Sequence, residues 1–554
     1  MPTVRDATLA SATALGLTTW YGNPGSTEIP LLADLPDHLR YVLALHEHSA
    51  VTMAAGHALA TGRPVLVNLH TTAGLGNAVS ALATARLNRA PLVVLVGQQD
   101  RRHLAFEPFL TGRLQGLAGD YPVSVHMPLR AQDVPGAVAR ARHEAAYHRG
   151  PALVIVPMGD WAQEMDDTEL AAPQTLDAAT AVAARQLEPL VALIDSARAP
   201  VLVTGAGSDS DAAWDAVVSL ADRLACPVWQ EPFSARAGFP QDHPRFAGFL
   251  PAGRAGVRQT LAGHDMVLVI GAGILKQFHF EPGPLFVEGT VAAVVTDDPG
   301  EAVRSPARLA LVAPIAAACA GLADRVAPRR PPPSPPGTAS SLSPATGPWP
   351  SVASEPSPAT GPSPPVPRGA APEGIRPEDV FAALGARLHP DTVVVEESPS
   401  SRDALQAMVP ARHPLGFLSA AMGGLGFALG AATGIRLADP RRPVLAVLGD
   451  GSAVYGIQAL WSAAHYGVGV LFIVLDNASY RTMNRLVARQ GKAPWPDLGG
   501  VHVDGLARAL GCPALTVSTK AELSALLDEV VPGLSTRAEP LLVNVVLDEP
   551  PIVP

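Results

Sequence analysis

Residues 444–480 read "VLAVLGDGSAVYGIQALWSAAHYGVGVLFIVLDNASY", with one apolar run before Gly449-Asp450-Gly451 and a second before Asp476-Asn477. Asp450 and Asn477 are hard oxygen ligands twenty-seven positions apart, the length of one βα unit, which sets both at the ends of adjacent strands. The glycines beside the acid let backbone approach closely, and helix N-termini there can take the charge of a diphosphate. The set suits Mg²⁺ shared with a diphosphate. A GDG turn alone says little; joined to a distal Asn, with a buried strand before each, it is specific.

A second group lies near the N-terminus, where three apolar runs empty into "GNPGSTE", "HEHSA" and "HTTAGLGNA" and present Ser26, Glu47 and His70 on one rim. A serine, a carboxylate and an imidazole there can bind a small polar substrate and protonate it. Ser26 equally suits a helix cap, and His70 a histidine satisfied by backbone groups; their shared location favours a site. No GxSxG elbow surrounds Ser26, so a nucleophilic triad is a poor match. His46-Glu47-His48 invites a metal reading, but on a helix the two rings would stand roughly 200° apart, and the chain has no HExxH. Glu47 is the member assigned to chemistry; His46 and His48 are assigned to packing or to the rim.

Strands must carry these residues. "TTWYG", "RYVLAL", "PVLVNL", "PLVVLVG" and "ALVIVPM" alternate with helical stretches; a second series runs through "APVLVTGAG", "CPVWQEP", "DMVLVIGAG" and "TVAAVVTDD". A third holds "DTVVVEES", "PVLAVLGDG", "GVLFIVLDN" and "PLLVNVVL". Such alternation predicts parallel βαβ units, and the fold class is α/β with three tandem open, doubly wound parallel-sheet domains. The boundaries fall at 1–185, 186–327 and 374–554. Residues 328–373, dominated by Pro, Ser, Ala, Thr and Gly with SPATGP at 343–348 and again at 357–362, read as an extended or disordered linker.

The chain has 554 residues, 48% hydrophobic and 16% charged, a formal charge of −10 and a mean hydropathy of +0.20. That balance predicts large cores or subunit contacts and argues against a nucleic-acid partner, as does the lack of a basic stripe. No run of eighteen apolar residues predicts a membrane span. Cys226, Cys319 and Cys512 are widely spaced, without a CxxC pair, which fits core thiols in a cytoplasmic protein.

The GDG motif with its distal Asn resembles the thiamin diphosphate fingerprint, and "YGNPGSTEIP", "LALHE", "NLHTTAGLGNA" and "SAAMGGLGFALGAATG" closely resemble the benzoylformate decarboxylases of the thiamin diphosphate-dependent 2-oxo acid decarboxylase family. The resemblance spans nearly all the chain outside the proline-rich segment. It implies pyrimidine-binding, middle and diphosphate-binding domains in that order. It makes Asp450, Asn477 and the Ser479 carbonyl the Mg²⁺ ligands, with Ser452 and Ser400 on the diphosphate and Gly449, Gly451 and Tyr480 around the cofactor. Gly423 would offer its carbonyl to the aminopyrimidine, Leu425 would wedge beneath the bent cofactor, and Glu47 would face nitrogen N1′. Ser26 would contact the substrate carboxylate and His70 would relay protons at the keto oxygen. The implied assembly is a homodimer or homotetramer with sites at subunit interfaces. The implied reaction is non-oxidative decarboxylation of an aromatic or related 2-oxo acid.

Departures bear on the substrate. The family's second active-site histidine falls on Phe278, with His279 one position later. Phe109, Leu110, Met483 and Leu486 keep an apolar pocket, whereas Ser419 replaces a bulky aromatic, which predicts a wider or more polar pocket. Arg481, Asn484 and Arg485 stand where an aryl pocket would favour apolar groups; for the arginines a solvated helix face is favoured over substrate recognition, and Pro399 removes one phosphate-binding hydroxyl. A carboligase, acetolactate synthase-like or benzaldehyde lyase-like and using an aldehyde acceptor, shares nearly every motif. The GAG turns at 205–207 and 271–273 are weak pointers to an FAD or NAD oxidoreductase. A non-catalytic paralogue fits less well, because the acid and the metal pair are present.

Overall fold

The structure, a computed structural model, describes residues 1–166, 172–173, 175–330, 374–488 and 490–548. The proline-rich segment from 331 to 373 lies outside the described residues. Three six-stranded sheets follow one another along the chain. The first holds β1 Thr19–Asn23, β2 Arg40–Leu43, β3 Val65–His70, β4 Leu92–Gln98, β5 Ser124–His126 and β6 Pro151–Pro157, in the order β2-β1-β3-β4-β6-β5. The second holds β7 Pro200–Thr204, β8 Val228–Gln230, β9 Phe246–Phe249, β10 Met266–Ile270, β11 Val291–Thr296 and β12 Leu309–Val312, in the order β12-β11-β10-β7-β8-β9. The third holds β13 Val393–Glu397, β14 Phe417–Ser419, β15 Val444–Gly449, β16 Leu471–Asp476, β17 Ala514–Val517 and β18 Leu541–Val546, and repeats the order of the first as β14-β13-β15-β16-β18-β17. Every pairing is parallel.

Strands such as β4 and β15 bury nearly every residue because helices cover both faces, which is why they read as unbroken Val/Leu runs. In the first and third sheets the winding direction reverses beside β1/β3 and β13/β15, and the crevice at such a switch point is where open α/β sheets bind ligands.

Two helices join these sheets. Glu47–Thr61 follows β2, Phe427–Ala438 precedes β15, and they meet with backbones nearly touching. A Cβ added at Gly56 would run into the Ala431 carbonyl, and one at Gly434 into that of Met53. Charge ties the first two sheets together: Arg89 pairs with Asp297 at 2.5 Å and Glu301 at 3.0 Å, and Arg149 pairs with Asp297 from the other side. Glu231 is buried beside this cluster, and Oε2 has no hydrogen-bond partner among the described residues. Burial pushes its carboxyl up to about 7 despite Lys276, Arg89 and Arg402 nearby. The three cysteines are buried and outside any disulfide. No helix among the described residues is long and apolar enough to cross a membrane.

Candidate active site

The rim of the first sheet gathers Ser26, Glu47 and His70 as the strand-end reading requires. Ser26 is exposed in the loop after β1, Glu47 opens the helix after β2, and His70 ends β3 and caps the helix Thr71–Leu87. His46 is the N-cap before Glu47, its Nδ1 accepting the His48 N–H at 3.1 Å, so it serves the backbone.

The Glu47 carboxylate is buried and held by two amides: Asn77 Nδ2 donates to Oε2 at 3.0 Å and Asn23 Nδ2 to Oε1 at 3.4 Å. No ion pair among the described residues engages it. Neutral donors fix its direction and leave its charge for another group.

His70 has a partner that motif reading passed over. Its Nδ1 lies 3.0 Å from Glu28 Oε2 and 2.9 Å from Thr27 Oγ1. Glu28 is 2% exposed; Oε2 also accepts the Gly25 N–H at 2.7 Å, and the Thr27 hydroxyl donates to Oε1. Two glycines make the room. A Cβ at Gly97 would strike the Glu28 carboxylate, and one at Gly25 the His70 ring. With Nδ1 donating to Glu28, Nε2 is the nitrogen left for a substrate. Thr71, directly after His70, adopts φ 38°, a backbone region that costs an L-residue about 1–3 kcal/mol.

The third sheet carries the oxygen ligands. Asp450 opens the short helix after β15 and Asn477 follows β16, on neighbouring strands. Asp450 is 4% exposed, and burial pushes its carboxyl up to about 6, the N–H of Gly451 pulling down and the adjacent Asp476 pushing up further. A buried carboxylate beside a second one is relieved by a cation. Asn477 Oδ1 accepts the Ser479 N–H at 3.1 Å, and the Ser479 carbonyl accepts from Arg481 N at 2.8 Å. A carboxylate, an amide oxygen and a backbone carbonyl form a set of hard oxygen donors, which fits a hard divalent ion. Ser452 is buried beneath the Gly449 turn, and Ser400, after β13, is partly exposed with its carbonyl held by Arg485 at 3.0 Å. Tyr480 packs near Gly451 and hydrogen-bonds Tyr455, whose proximity pushes the Tyr480 phenol up. The hydroxyls and open turns beside Asp450 fit a diphosphate.

Gly423, at φ 71°, is exposed, and Leu425 is half-buried. Phe109, Leu110 and Met483 are 88%, 38% and 47% exposed, so each leaves apolar surface open. Leu486 is half-buried on the helix Arg481–Val487. On that helix Asn484 accepts the Trp495 indole N–H at 2.8 Å and donates to Ser479 Oγ at 2.8 Å, so it braces the Asn477 turn. Phe278 packs on Phe233 and His279 is exposed beside it. Ser419 is buried, and Arg402 Nη2 donates to its hydroxyl at 2.7 Å, so a guanidinium stands next to the small side chain. The hydrogen bonds of Glu47 stay within the first domain, and the groups around Asp450 belong to the third.

Three profiles of one family match the chain: the thiamine pyrophosphate enzyme N-terminal TPP binding domain over residues 2–120, the central domain over 187–322 and the C-terminal TPP binding domain over 400–545. The chain is 39% identical over 533 residues to a benzoylformate decarboxylase from Pseudomonas aeruginosa, covering 94% of this chain and 95% of that one. A solved thiamine diphosphate-dependent 4-hydroxybenzoylformate decarboxylase from Rhodococcus jostii RHA1 superposes with a TM-score of 0.88 at 36% identity, over 99% of each chain. The benzoylformate decarboxylase from Polynucleobacter necessarius gives 0.89 at 30% identity over 100% of each. Sheet order, switch-point residues and these likenesses agree: the chain belongs to the thiamine pyrophosphate enzyme family.

Proposed function

We propose that the protein uses thiamin diphosphate and Mg²⁺ to decarboxylate an aromatic or related 2-oxo acid to the aldehyde and CO₂. The observation that carries this reading is the buried Glu47 carboxylate on the switch-point rim, aimed by Asn77 and Asn23 and unneutralised by any ion pair among the described residues. The cofactor, when bound, supplies a nucleophilic carbon and a sink for the electron pair left as CO₂ departs.

The chain's own residues bind, aim and move protons. Asp450, Asn477 and the Ser479 carbonyl hold the metal, and Ser400 and Ser452 take the diphosphate. Gly423 and Leu425 hold the aminopyrimidine end, and Glu47 shares a proton with its ring nitrogen. Ser26 binds the substrate carboxylate. His70, aimed by Glu28, protonates and deprotonates the oxygen of the former keto group through Nε2. Phe109, Leu110, Met483 and Leu486 cover an aryl group, and Ser419 with Arg402 gives that pocket a polar wall. Exposed His279 supplies a second proton relay only with a one-residue shift of its loop, because Phe278 takes the matching position; without that shift the relay is missing.

This reading divides the chain into a pyrimidine-binding part, residues 1–185, a middle part, 186–327, and a diphosphate-binding part, 374–554. The partners of Glu47 and of Asp450 lie in different domains and Phe109 and Met483 leave apolar surface open, which supports a complete site formed between two copies of the chain. The family relatives named for benzoylformate and 4-hydroxybenzoylformate decarboxylation support an aryl substrate. Buried, unpaired cysteines suit a reducing cytoplasm.

The test is incubation with thiamin diphosphate, Mg²⁺ and a panel of 2-oxo acids, with and without an aldehyde acceptor. Stoichiometric CO₂ and aldehyde from benzoylformate is the expected result. Carbon–carbon products from the acceptor without free aldehyde would turn the assignment to a carboligase.

A further inference from the structure

Glu397 ends β13 with its carboxylate buried, 5% exposed. Oε1 accepts the Gly426 N–H at 2.5 Å and Oε2 the Ala428 N–H at 2.6 Å. These amides begin the helix Phe427–Ala438, whose N-cap is Gly426 and has no side chain to satisfy them. The first N–H groups of a helix lack intrahelical acceptors, and a carboxylate brought from another element supplies them with the sign the helix N-terminus favours. Gly426 is confined as well: it adopts φ 95°, and a Cβ there would meet His48 and the Tyr455 carbonyl.

The upstream end is tied separately. Asn88, from the first domain, donates to the Ser419 carbonyl at 2.9 Å and accepts the Ala421 N–H at 2.7 Å. Between the ties, Met422 and Gly423 are exposed and Leu425 is half-buried. Residues 421–426 therefore form a strap whose ends are fixed by two side chains from different domains, Asn88 at the end of the helix Thr71–Leu87 and Glu397 at the end of β13.

We propose that Glu397 is a positioning residue for cofactor binding: its carboxylate sets the strap so that the Gly423 carbonyl and the Leu425 side chain stand where thiamin diphosphate is held. The inference rests on the cofactor reading above and adds the group that aims those two residues. Glu397 acts through the Gly426 and Ala428 amides. A carboxyl group in either protonation state keeps a lone pair on each oxygen for these amides, whereas glutamine must turn its NH₂ toward one of them. The isosteric change thus breaks one tie while keeping the volume.

The experiment is titration of wild type, Glu397→Gln and Glu397→Asp with thiamin diphosphate at saturating Mg²⁺. Tryptophan fluorescence reports affinity, and the melting temperature is followed alongside. Glu397→Gln is expected to weaken affinity at least tenfold, with Glu397→Asp between it and wild type and the melting temperature of both close to wild type. Affinity within twofold of wild type in Glu397→Gln, or a lowered melting temperature with unchanged affinity, overturns the proposal and leaves the cofactor reading intact. A wild-type protein that takes up no thiamin diphosphate defeats the cofactor reading itself. Should neither variant fold, amide hydrogen exchange of the wild type decides. Protection at 426–428 that rises tenfold with the cofactor supports the strap, and unchanged protection overturns it.

Discussion

Replacing Glu28 by glutamine tests how the His70 imidazole is aimed. Glu28 Oε2 receives two N–H groups, from Gly25 at 2.7 Å and from His70 at 3.0 Å, while Oε1 receives the Thr27 hydroxyl. Glutamine can place its NH₂ at the Oε1 position, where the Thr27 hydroxyl can turn and accept, so the fold survives. Its neutral carbonyl then takes the place of Oε2. Two charge-assisted hydrogen bonds become neutral ones, each weaker by about 1 kcal/mol. Together that is about 2 kcal/mol, or roughly thirtyfold in rate if the full loss falls on the proton-transfer step. The assay is kcat for CO₂ release from benzoylformate, with cofactor affinity and melting temperature as controls. A kcat within twofold of wild type would falsify the orienting role. So would a loss explained by weaker cofactor binding alone.

Three other outcomes follow from the same geometry. Glu231 carries a carboxyl raised by burial from 4.5 to about 7, so the native protein binds more protons than the unfolded chain between those values. The cost of ionising it grows as pH rises through that window and is complete above about 7, where it reaches roughly 3 kcal/mol. Glu231→Gln is therefore expected to stabilise at pH 8 and to change little at pH 4, read from urea unfolding at both; an equal effect at the two values contradicts the assignment. Gly434→Ala puts a methyl group into the Met53 carbonyl, and pushing the two helices apart is expected to cost about 1–3 kcal/mol, measured as a lower urea midpoint. Chelation with EDTA is expected to abolish thiamin diphosphate binding and added Mg²⁺ to restore it, whereas binding that persists in EDTA argues against a bridging cation at Asp450.

The inner strands were legible because burial on both faces writes them as Val, Ile and Leu runs. The strands absent from the sequence reading, β5 "SVH", β9 "FAGF", β12 "LALV", β14 "FLS" and β17 "ALTV", all lie at sheet edges. They have three or four residues each, and all but β14 are incompletely buried, too little pattern for a period of two to emerge. Asp450 and Asn477 were placed on adjacent strands from spacing alone, since one βα unit has a nearly fixed length. Glu28 was not singled out. Its signal is tertiary, a carboxylate meeting a histidine forty-two positions away over glycines that leave it room. At Ser419 the sequence shows a missing aromatic ring but not that Arg402, seventeen residues back, reaches the hydroxyl. The contacts that tie the strap, from Asn88 and Glu397, likewise join residues whose separation follows no local rule.

Glu47 is the acid proposed to activate the cofactor. The most direct measurement is hydrogen–deuterium exchange at the thiazolium C2 of thiamin diphosphate bound to wild type and to Glu47→Gln. With binding retained, exchange in the variant is expected to slow at least a hundredfold, within the roughly 10²–10⁴ range of a lost general acid–base group. Exchange within threefold of wild type, with the cofactor fully bound, would contradict that role.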